Sequence, residues 1–507
     1  MASHSRTVWN ISANTAGVVV SMLSGLLVMP YLIRTLGSST YGLWILIGTL
    51  AGYFGVLDLG VSAALGRLIA AHRARGELEQ VNAVMSTACA LLMIVFLVVC
   101  LATCAVLVVF PLLFSIPADR TLDVHYSLIL VGVTLALSFP GSIFMGFLWG
   151  NERFDLQNAV DIPTLILRTV LSMTMISAAR PLTSLGAITF GVTVVSIVAR
   201  MILCFRLESG LQVSWRHVQA SKVRQIFSIG GWMSVISWSR TLIPQIAPTL
   251  IGVRLGNAAV TTFAVARQLV TYTNIFANSA TQVLAPRAIA AYATQSVTRQ
   301  TQLFIEGGKF AHALTLFFCG ALFCLGLPFI HWWQHGLQDA AYGPLLILML
   351  GESLPMSQWL TYSVLIGANR QRMLSFMAVI EGAISFPLIM AFMQRGGISG
   401  VCIGVALSGF LTRGVAQWLY GCRLLRVSVG AYARQVFVPV TLAAVLPIAA
   451  LYFVTVAVAP ESFRAILLLG AGYSFVYVAT LVWTLLGYSS LKKLMMSASV
   501  PPGQSRY

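Results

Sequence analysis

The sequence predicts an all-α integral membrane protein of about 14 bilayer-spanning helices. Three observations carry that prediction. Hydrophobic residues make up 58% of the 507 and charged residues only 9%, whereas a soluble domain carries about a quarter charged residues. Mean hydropathy is +0.87. The apolar residues also fall in long runs, near the ~20 residues that cross a hydrocarbon layer. Water cannot solvate such a surface, so lipid must.

Gly, Pro and charge punctuate the runs. The first, 9–33, follows a polar start from Met1 to Arg6. It is too long for the core of a cleavable signal peptide and reads as a membrane helix. Runs at 41–66, 82–112, 126–149, 158–179 and 184–205 complete a set of six. A polar stretch over 207–225, with Glu208, Arg216, His217, Lys222 and Arg224, precedes a second set. Its spans are 226–252, 258–285, 310–330, 341–367, 373–394 and 399–422. Two further runs, 435–458 and 465–488, hold no charge and read as lipid-facing and peripheral. The expected organisation is therefore one lobe over 1–206, a cytoplasmic linker over 207–225, and a second lobe over 226–424. An added pair of helices and a tail fill 425–507.

A repeat supports the division. LGSSTYGL at 36–43 is echoed by LGNAAVTTF at 255–263, with Gly37 and Gly256 offset by 219. GNERFDL at 150–156 is echoed by GANRQRM at 367–373, with Gly150 and Gly367 offset by 217. Two echoes at nearly one offset point to a duplicated six-helix unit. Six is even, so both copies share one orientation, a plan common in transporters.

Charge orients the map. With the N-terminus in the cytoplasm, only six of 31 Lys and Arg fall in outer segments: Arg34, Arg120, Arg180, Arg254, Arg395 and Arg464. An even span count with both termini inside satisfies the positive-inside rule. The net charge of +17 then reports anionic headgroups and an anionic substrate, not nucleic acid. The eight cysteines lie in or beside apolar runs without a CxxC pair and read as small hydrophobes.

Catalytic signatures are absent: no HExxH, no Walker loop, no nucleophile elbow in context. No enzyme activity and no cofactor are expected. His331 and His335 flank Trp332 and Trp333, which reads as an interfacial edge rather than a metal site.

Polar groups inside the spans are the informative ones, because charge in hydrocarbon is costly. They are Asp58, Arg168, Arg200, Arg240, Arg267, Glu352, Glu381 and Arg413. Helical stripes accompany them. Asn10, Asn14, Gly17, Ser21 and Ser24 share one face, as do Arg267, Thr271, Asn274, Asn278 and Gln282. Ser234, Ser237, Thr241 and Gln245 form a third face, with Arg240, Pro244 and Pro248 beside it. A water-filled cleft explains Arg267 and its amide neighbours. Interhelical hydrogen bonding explains the Ser and Thr residues better.

The segment PYLIRTLGSSTYGLWILIGTLAGYFGVLDLGVSAALGR, 30–67, resembles the opening of Wzx-type flippases of the polysaccharide transporter family. Tyr41-Gly42 and Leu57-Asp58-Leu59-Gly60 are its specific parts. GNERFDLQN at 150–158 is similar to that family's junction between the fourth and fifth helices. Helix count, repeat and loop lengths extend the likeness over nearly the whole chain. The resemblance implies two six-helix lobes in a V, as in multidrug/cation antiporters and the lipid II flippase, plus two extra helices. It implies that an undecaprenyl-diphosphate-linked oligosaccharide moves across the bacterial inner membrane for surface polysaccharide synthesis. A proton, a sodium ion or the membrane potential would drive the step. A polysaccharide polymerase and a chain-length regulator are the implied partners, beside membrane lipids.

On that reading, Arg240 and Arg267 bind the diphosphate, since a guanidinium donates bidentate bonds at any physiological pH. Arg34, at the outer end of the first helix, receives it on release. Asn14, Gln245, Asn274, Asn278 and Gln282 bond sugar hydroxyls. Asp58, Glu352 or Glu381 carries the coupling ion. The competing reading of each acid is an ion pair with an intramembrane Arg, Glu381 with Arg413 above all. Two other classes stay open: a multidrug/cation antiporter of the same superfamily, and a membrane-embedded polysaccharide polymerase. The latter needs a sizeable outer loop, which the map lacks.

Overall fold

The computed structural model describes residues 2–58, 60–282 and 297–498. Their side chains are described except at 2–15, 63, 229–233, 235–237, 240, 282, 297–299 and 485–498. Among the described residues every regular element is a helix. The first half runs α1 (Ala2–Leu36), α2 (Ser38–Phe54), α3 (Val61–Ala74), α4 (Leu78–Leu113), α5 (Thr121–Gly150), α6 (Phe154–Thr174) and α7 (Pro181–Leu207). After the linker come α8 (Ala220–Arg254) and α9 (Asn257–Gln282). The second half adds α10 (Val297–Gln334), α11 (Tyr342–Ser357), α12 (Trp359–Gly367) and α13 (Gln371–Gly409). A π-helical turn, Phe410–Ala416, leads into α14 (Gln417–Leu424), followed by α15 (Val429–Tyr432), α16 (Val438–Val458) and α17 (Phe463–Ala498).

The expected spans fall largely on helical backbone; 175–179 do not, and 59 and 283–285 lie outside the described residues. Nine helical segments among the described residues are long and apolar enough to cross a bilayer. α6, α8, α9 and α11 are not among them. α6 holds Asp155, Asp161 and Arg168 within 21 residues, and α9 carries the Arg267 stripe, so polar faces dilute their hydropathy. Two spans read as single helices are broken. The 41–66 span bends through a 3₁₀ turn, Gly55–Asp58, and Gly60 takes φ 77°, a left-handed conformation that glycine adopts at no steric cost. The 341–367 span breaks at Gln358 (φ −98°, ψ 9°).

The backbone carries the repeat. Gly37 and Gly256 end their helices with φ 79° and 87°. Glu152 and Asn369 are both left-handed, with φ 55° and 56°, although neither is glycine. Arg153 N donates to Leu148 O and Arg370 N to Leu365 O, each at 2.9 Å. These pairs stand 217 residues apart, as GNERFDL and GANRQRM do.

By packing, the chain forms two compact units, Met1–Ala264 and Val265–Tyr507. In the first, Leu65, Ile69, Val84, Met85, Leu92 and Phe147 from α3, α4 and α5 form a continuous core. Lipid is as apolar as these side chains, so close van der Waals fit holds the helices together. Gly150 shows how close: a Cβ there would lie 2.8 Å from the Gly66 carbonyl oxygen.

The linker is docked rather than loose. Asn82 on α4 donates to Gly210 O and accepts from Gln212 N, both at 3.0 Å. Ser86 Oγ accepts from Ser214 N at 3.1 Å, and Thr87 Oγ1 from Gln219 N at 3.1 Å. One face of α4 thus satisfies backbone groups of an extended segment. Below it, the Lys222 ammonium, which can only donate, reaches His72 Nε2 at 3.1 Å. His72 therefore carries its proton on Nδ1 and gives it to Glu77 at 2.6 Å. That hydrogen bond holds the Glu77 carboxyl below the usual range, while burial lowers Lys222.

In the second unit, α16 and α17 pack on α10. Tyr473 and Tyr477 donate to the carbonyls of Phe317 (3.0 Å) and Ala313 (2.6 Å), and Phe317 stacks on Tyr473 at 5.1 Å. Leu442, Leu446, Phe453, Leu468 and Phe475 on the same two helices stay exposed, as lipid-facing residues should.

Candidate functional site

The second unit concentrates its intramembrane charge in one place. α11 supplies Glu352, α13 supplies Glu381, and the π-turn supplies Arg413. A π-turn inserts one residue into the helical register and rotates the residues beyond it, a device frequent at functional sites. Arg413 Nη1 and Nη2 donate to the two oxygens of Glu352 at 2.9 and 2.8 Å. Its Nε donates to Glu381 at 3.0 and 3.1 Å. Gly409 makes room: a Cβ there would sit 2.4 Å from Arg413 Nη2. The two acids are 9% and 6% exposed at their side chains, and Arg413 is 42% exposed. The buried face of this group is anionic and its open face is a guanidinium.

Arg267 on α9 lies within electrostatic range of Glu352, Glu381 and Arg413. Among the described residues no carboxylate comes within 4.0 Å of it. Both acids nearby are held by Arg413, so the half-buried Arg267 is an intramembrane cation with no salt bridge among the described residues. Asn274, two turns along α9, donates to Val270 O at 3.3 Å and stands within reach of Glu352. Asn278 follows one turn later, also half-buried. The structure thus brings together Arg267, Asn274, Glu352 and Glu381.

The other expected site residues belong to the first unit, apart from Asn278 and Gln282. Arg34 is exposed at the end of α1. Gln245 is absorbed into helix packing: its side chain fills the notch at Gly52, its Nε2 donates to Thr241 O at 3.2 Å, and Tyr53 donates to its carbonyl at 3.1 Å. The side chains of Asn14, Arg240 and Gln282 lie outside the described residues. Asp58 closes the 3₁₀ turn and accepts from Ser62 Oγ at 2.6 Å. Ser62 in turn meets Ser142 at 3.2 Å. No Lys, Arg or His among the described residues comes within 4.0 Å of Asp58. His331 binds Asp339 at 2.8 Å.

Asp161 on α6 is not among the residues that the sequence singles out. It pairs with Arg200 on α7. The signal was present: Asp161 and Arg168 are seven apart on one helical face. In both copies, moreover, an acid on the fifth helix precedes an Arg on the sixth. Asp161 corresponds to Glu381 at an offset of 220, and Arg200 to Arg413 at 213.

The two motif segments are structural. At Gly42 a Cβ would lie 1.9 Å from the Asn257 carbonyl oxygen, and Thr261 Oγ1 donates to Ser38 O at 2.6 Å. In GNERFDL, Arg153 grips Asp155 through Nε and Nη2 at 3.0 and 2.9 Å. That grip lowers the Asp155 carboxyl and raises the Arg153 guanidinium.

Residues 8–291 match the model of the family described as polysaccharide biosynthesis protein. The chain belongs to that family. It is 20% identical to membrane protein EpsK of Bacillus subtilis, over 92% of this chain and 93% of that one. It is 19% identical to a Shigella flexneri protein named "Putative O-antigen transporter", over 82% and 96%. Among solved structures, the inward closed conformation of lipid II flippase MurJ superposes with a TM-score of 0.71 at 14% identity, covering 94% of this chain and 99% of that one. An inward-facing multidrug resistance MATE family transporter gives 0.65 at 14%, covering 83% and 94%. The fold is therefore that of MATE and MurJ transporters, and the protein is a multi-pass membrane protein of the polysaccharide biosynthesis family.

Proposed function

We propose that this protein is a flippase that moves an undecaprenyl-diphosphate-linked oligosaccharide from the cytoplasmic to the outer leaflet of a bacterial inner membrane. Surface polysaccharide synthesis is the purpose, both termini are cytoplasmic, and no covalent chemistry is involved. The observation that carries the reading is Arg267. A diphosphate cannot enter hydrocarbon unaided, and a guanidinium not already held by a carboxylate is the group best suited to receive it. Arg413 adds a second, partly open guanidinium whose charge is balanced from behind. Asn274 and Asn278 offer amides to sugar hydroxyls, Arg240 is a further head-group ligand, and Arg34, at the outer end of α1, receives the diphosphate on release. Gln245, packed at Gly52, is the weaker sugar contact, and Asn14 and Gln282 extend the polar faces of their helices.

Movement is coupled to a proton, a sodium ion or the membrane potential. Of the acids assigned to coupling, Asp58 is favoured, since Glu352 and Glu381 are each committed to Arg413. A polymerase and a chain-length regulator receive the product.

The test is complementation. In cells lacking the native gene, Arg267→Ala reaches the membrane at normal level and loses at least about tenfold of surface polymer, the value of ~1.5 kcal/mol for one charged hydrogen bond. Normal polymer in that variant removes Arg267 from the path. The multidrug antiporter shares the fold. Cationic-drug resistance conferred by the wild type, with polymer unchanged in the deletion strain, would establish it instead.

A further inference from the structure

The two units build corresponding acid–arginine pairs and bury opposite ends of them. In the second unit the acids are buried and the arginine is open. In the first, Arg200 is 16% exposed and Asp161 is 38% exposed. Arg413 makes four bonds to two acids. Arg200 makes one, from Nη2 to Asp161 Oδ1, and its Nε is buried with no hydrogen-bond partner among the described residues. An exposed carboxylate within a membrane span faces water rather than lipid. Two turns further along the same face of α6, Arg168 is exposed and no carboxylate among the described residues reaches within 4.0 Å of it.

The helices packed on α6 are α1, α5 and α7. Their charged or titratable groups with described side chains are Tyr31 and Arg34, Asp123, His125 and Tyr126, and Arg200, Cys204 and Arg206. His4 and Arg6 on α1 lie outside the described side chains. Asp123 is spent capping α7 through Leu182 N and Thr183 N, and His125 bonds Thr121 O. Arg200 is the sole cation paired with Asp161 among the described residues.

We propose that Asp161–Arg200 is a proton–anion exchange site, in which a proton taken up by Asp161 frees Arg200 for a phosphate or diphosphate ligand. The carboxylate gains the proton, the guanidinium stays charged, and the pair passes from neutral to a net single positive charge. The anion then takes the donor edge that Asp161 leaves, with Arg168 drawing it in. Asp161 and the anion compete for one guanidinium, so proton uptake and anion binding assist each other. The pair in the second unit cannot do this cheaply, because protonating either acid breaks two of Arg413's bonds. The ligand class rests on the flippase reading; the proton site does not.

The experiment uses the full-length protein in lipid nanodiscs. Dicyclohexylcarbodiimide modifies protonated carboxyls in apolar surroundings, and mass spectrometry locates the adduct. At one fixed pH, labelling of Asp161 is expected to rise severalfold when inorganic pyrophosphate or a polyprenyl diphosphate is added. If the lipid-borne diphosphate acts at far lower concentration than the free ion, it is the natural source; the reverse order assigns a free anion. Arg200→Gln abolishes the response to either, and Arg200→Lys keeps it in part, which serves if the glutamine variant does not fold. Asp161 that stays unlabelled with either diphosphate present, or labelling that neither diphosphate changes, overturns the proposal. Translocation is not needed for this readout, so an unlabelled Asp161 leaves the flippase reading standing, and a normal polymer level in Arg267→Ala leaves this site standing.

Discussion

Compare the charged pair of the first unit with that of the second. Asp161 with Arg200 and Glu381 with Arg413 occupy matching places in a duplicated six-helix plan. The first is a single contact with its acid open. The second is a closed triad, reinforced by Glu352, with its arginine open. Position four before the arginine explains part of the divergence. It is Gly409 in the second unit, where the guanidinium lies back over the helix, and the buried Ser196 in the first. The π-turn at Phe410–Ala416 supplies the rest by re-aiming Arg413. One pair is thus a closed triad and the other a single contact.

The comparison breaks most readily at Arg413. Arg413→Ala strands two buried carboxylates and should cost about 3–5 kcal/mol, read as a large drop in the melting temperature of the purified protein. Adding Glu352→Gln and Glu381→Gln should recover most of it. Arg200→Ala should cost only about 1 kcal/mol, because its acid is 38% exposed. Equal losses in the two single variants would erase the distinction between them. Gly409→Ser makes the second unit resemble the first. It should push Nη2 of the guanidinium off Glu352 at a cost of about 1–3 kcal/mol, and leave the Nε contact with Glu381.

The smallest effect is a pH control on the contact of Glu77 with His72 and Lys222. Glu77 is held below the usual carboxyl range by His72. Its contribution is complete above the ordinary glutamate range and fades as pH falls through the depressed value. Melting curves taken from neutral to acid pH should show that component in the wild type and lose it in Glu77→Gln. An identical profile in the two would remove that contact's role.

Much of this was legible in the sequence. Apolar runs located the helices because the bilayer demands a length that few other environments impose. The Gly37/Gly256 and Gly150/Gly367 offsets pointed to a duplication because glycine recurs at corresponding helix ends. Arg267 and the two glutamates stood out as charge among apolar neighbours. The π-turn was not legible, since one inserted residue leaves no periodic trace. Nor was the docking of the linker, where Asn82, Ser86 and Thr87 look like any polar helix end. Asp161 was hidden for another reason. Near a helix start already holding Asp155, it looks like part of the cytoplasmic edge until Arg200 is seen beside it.

The central claim is that Arg267 receives an anionic head group. Reconstituted vesicles loaded with polyprenyl-diphosphate oligosaccharide on one leaflet test it directly, with an impermeant glycosidase reporting arrival on the other. Wild-type protein should expose the sugar, and Arg267→Ala should slow that exposure at least about tenfold, as the loss of one charged hydrogen bond implies. Transfer at an undiminished rate in Arg267→Ala would contradict the account.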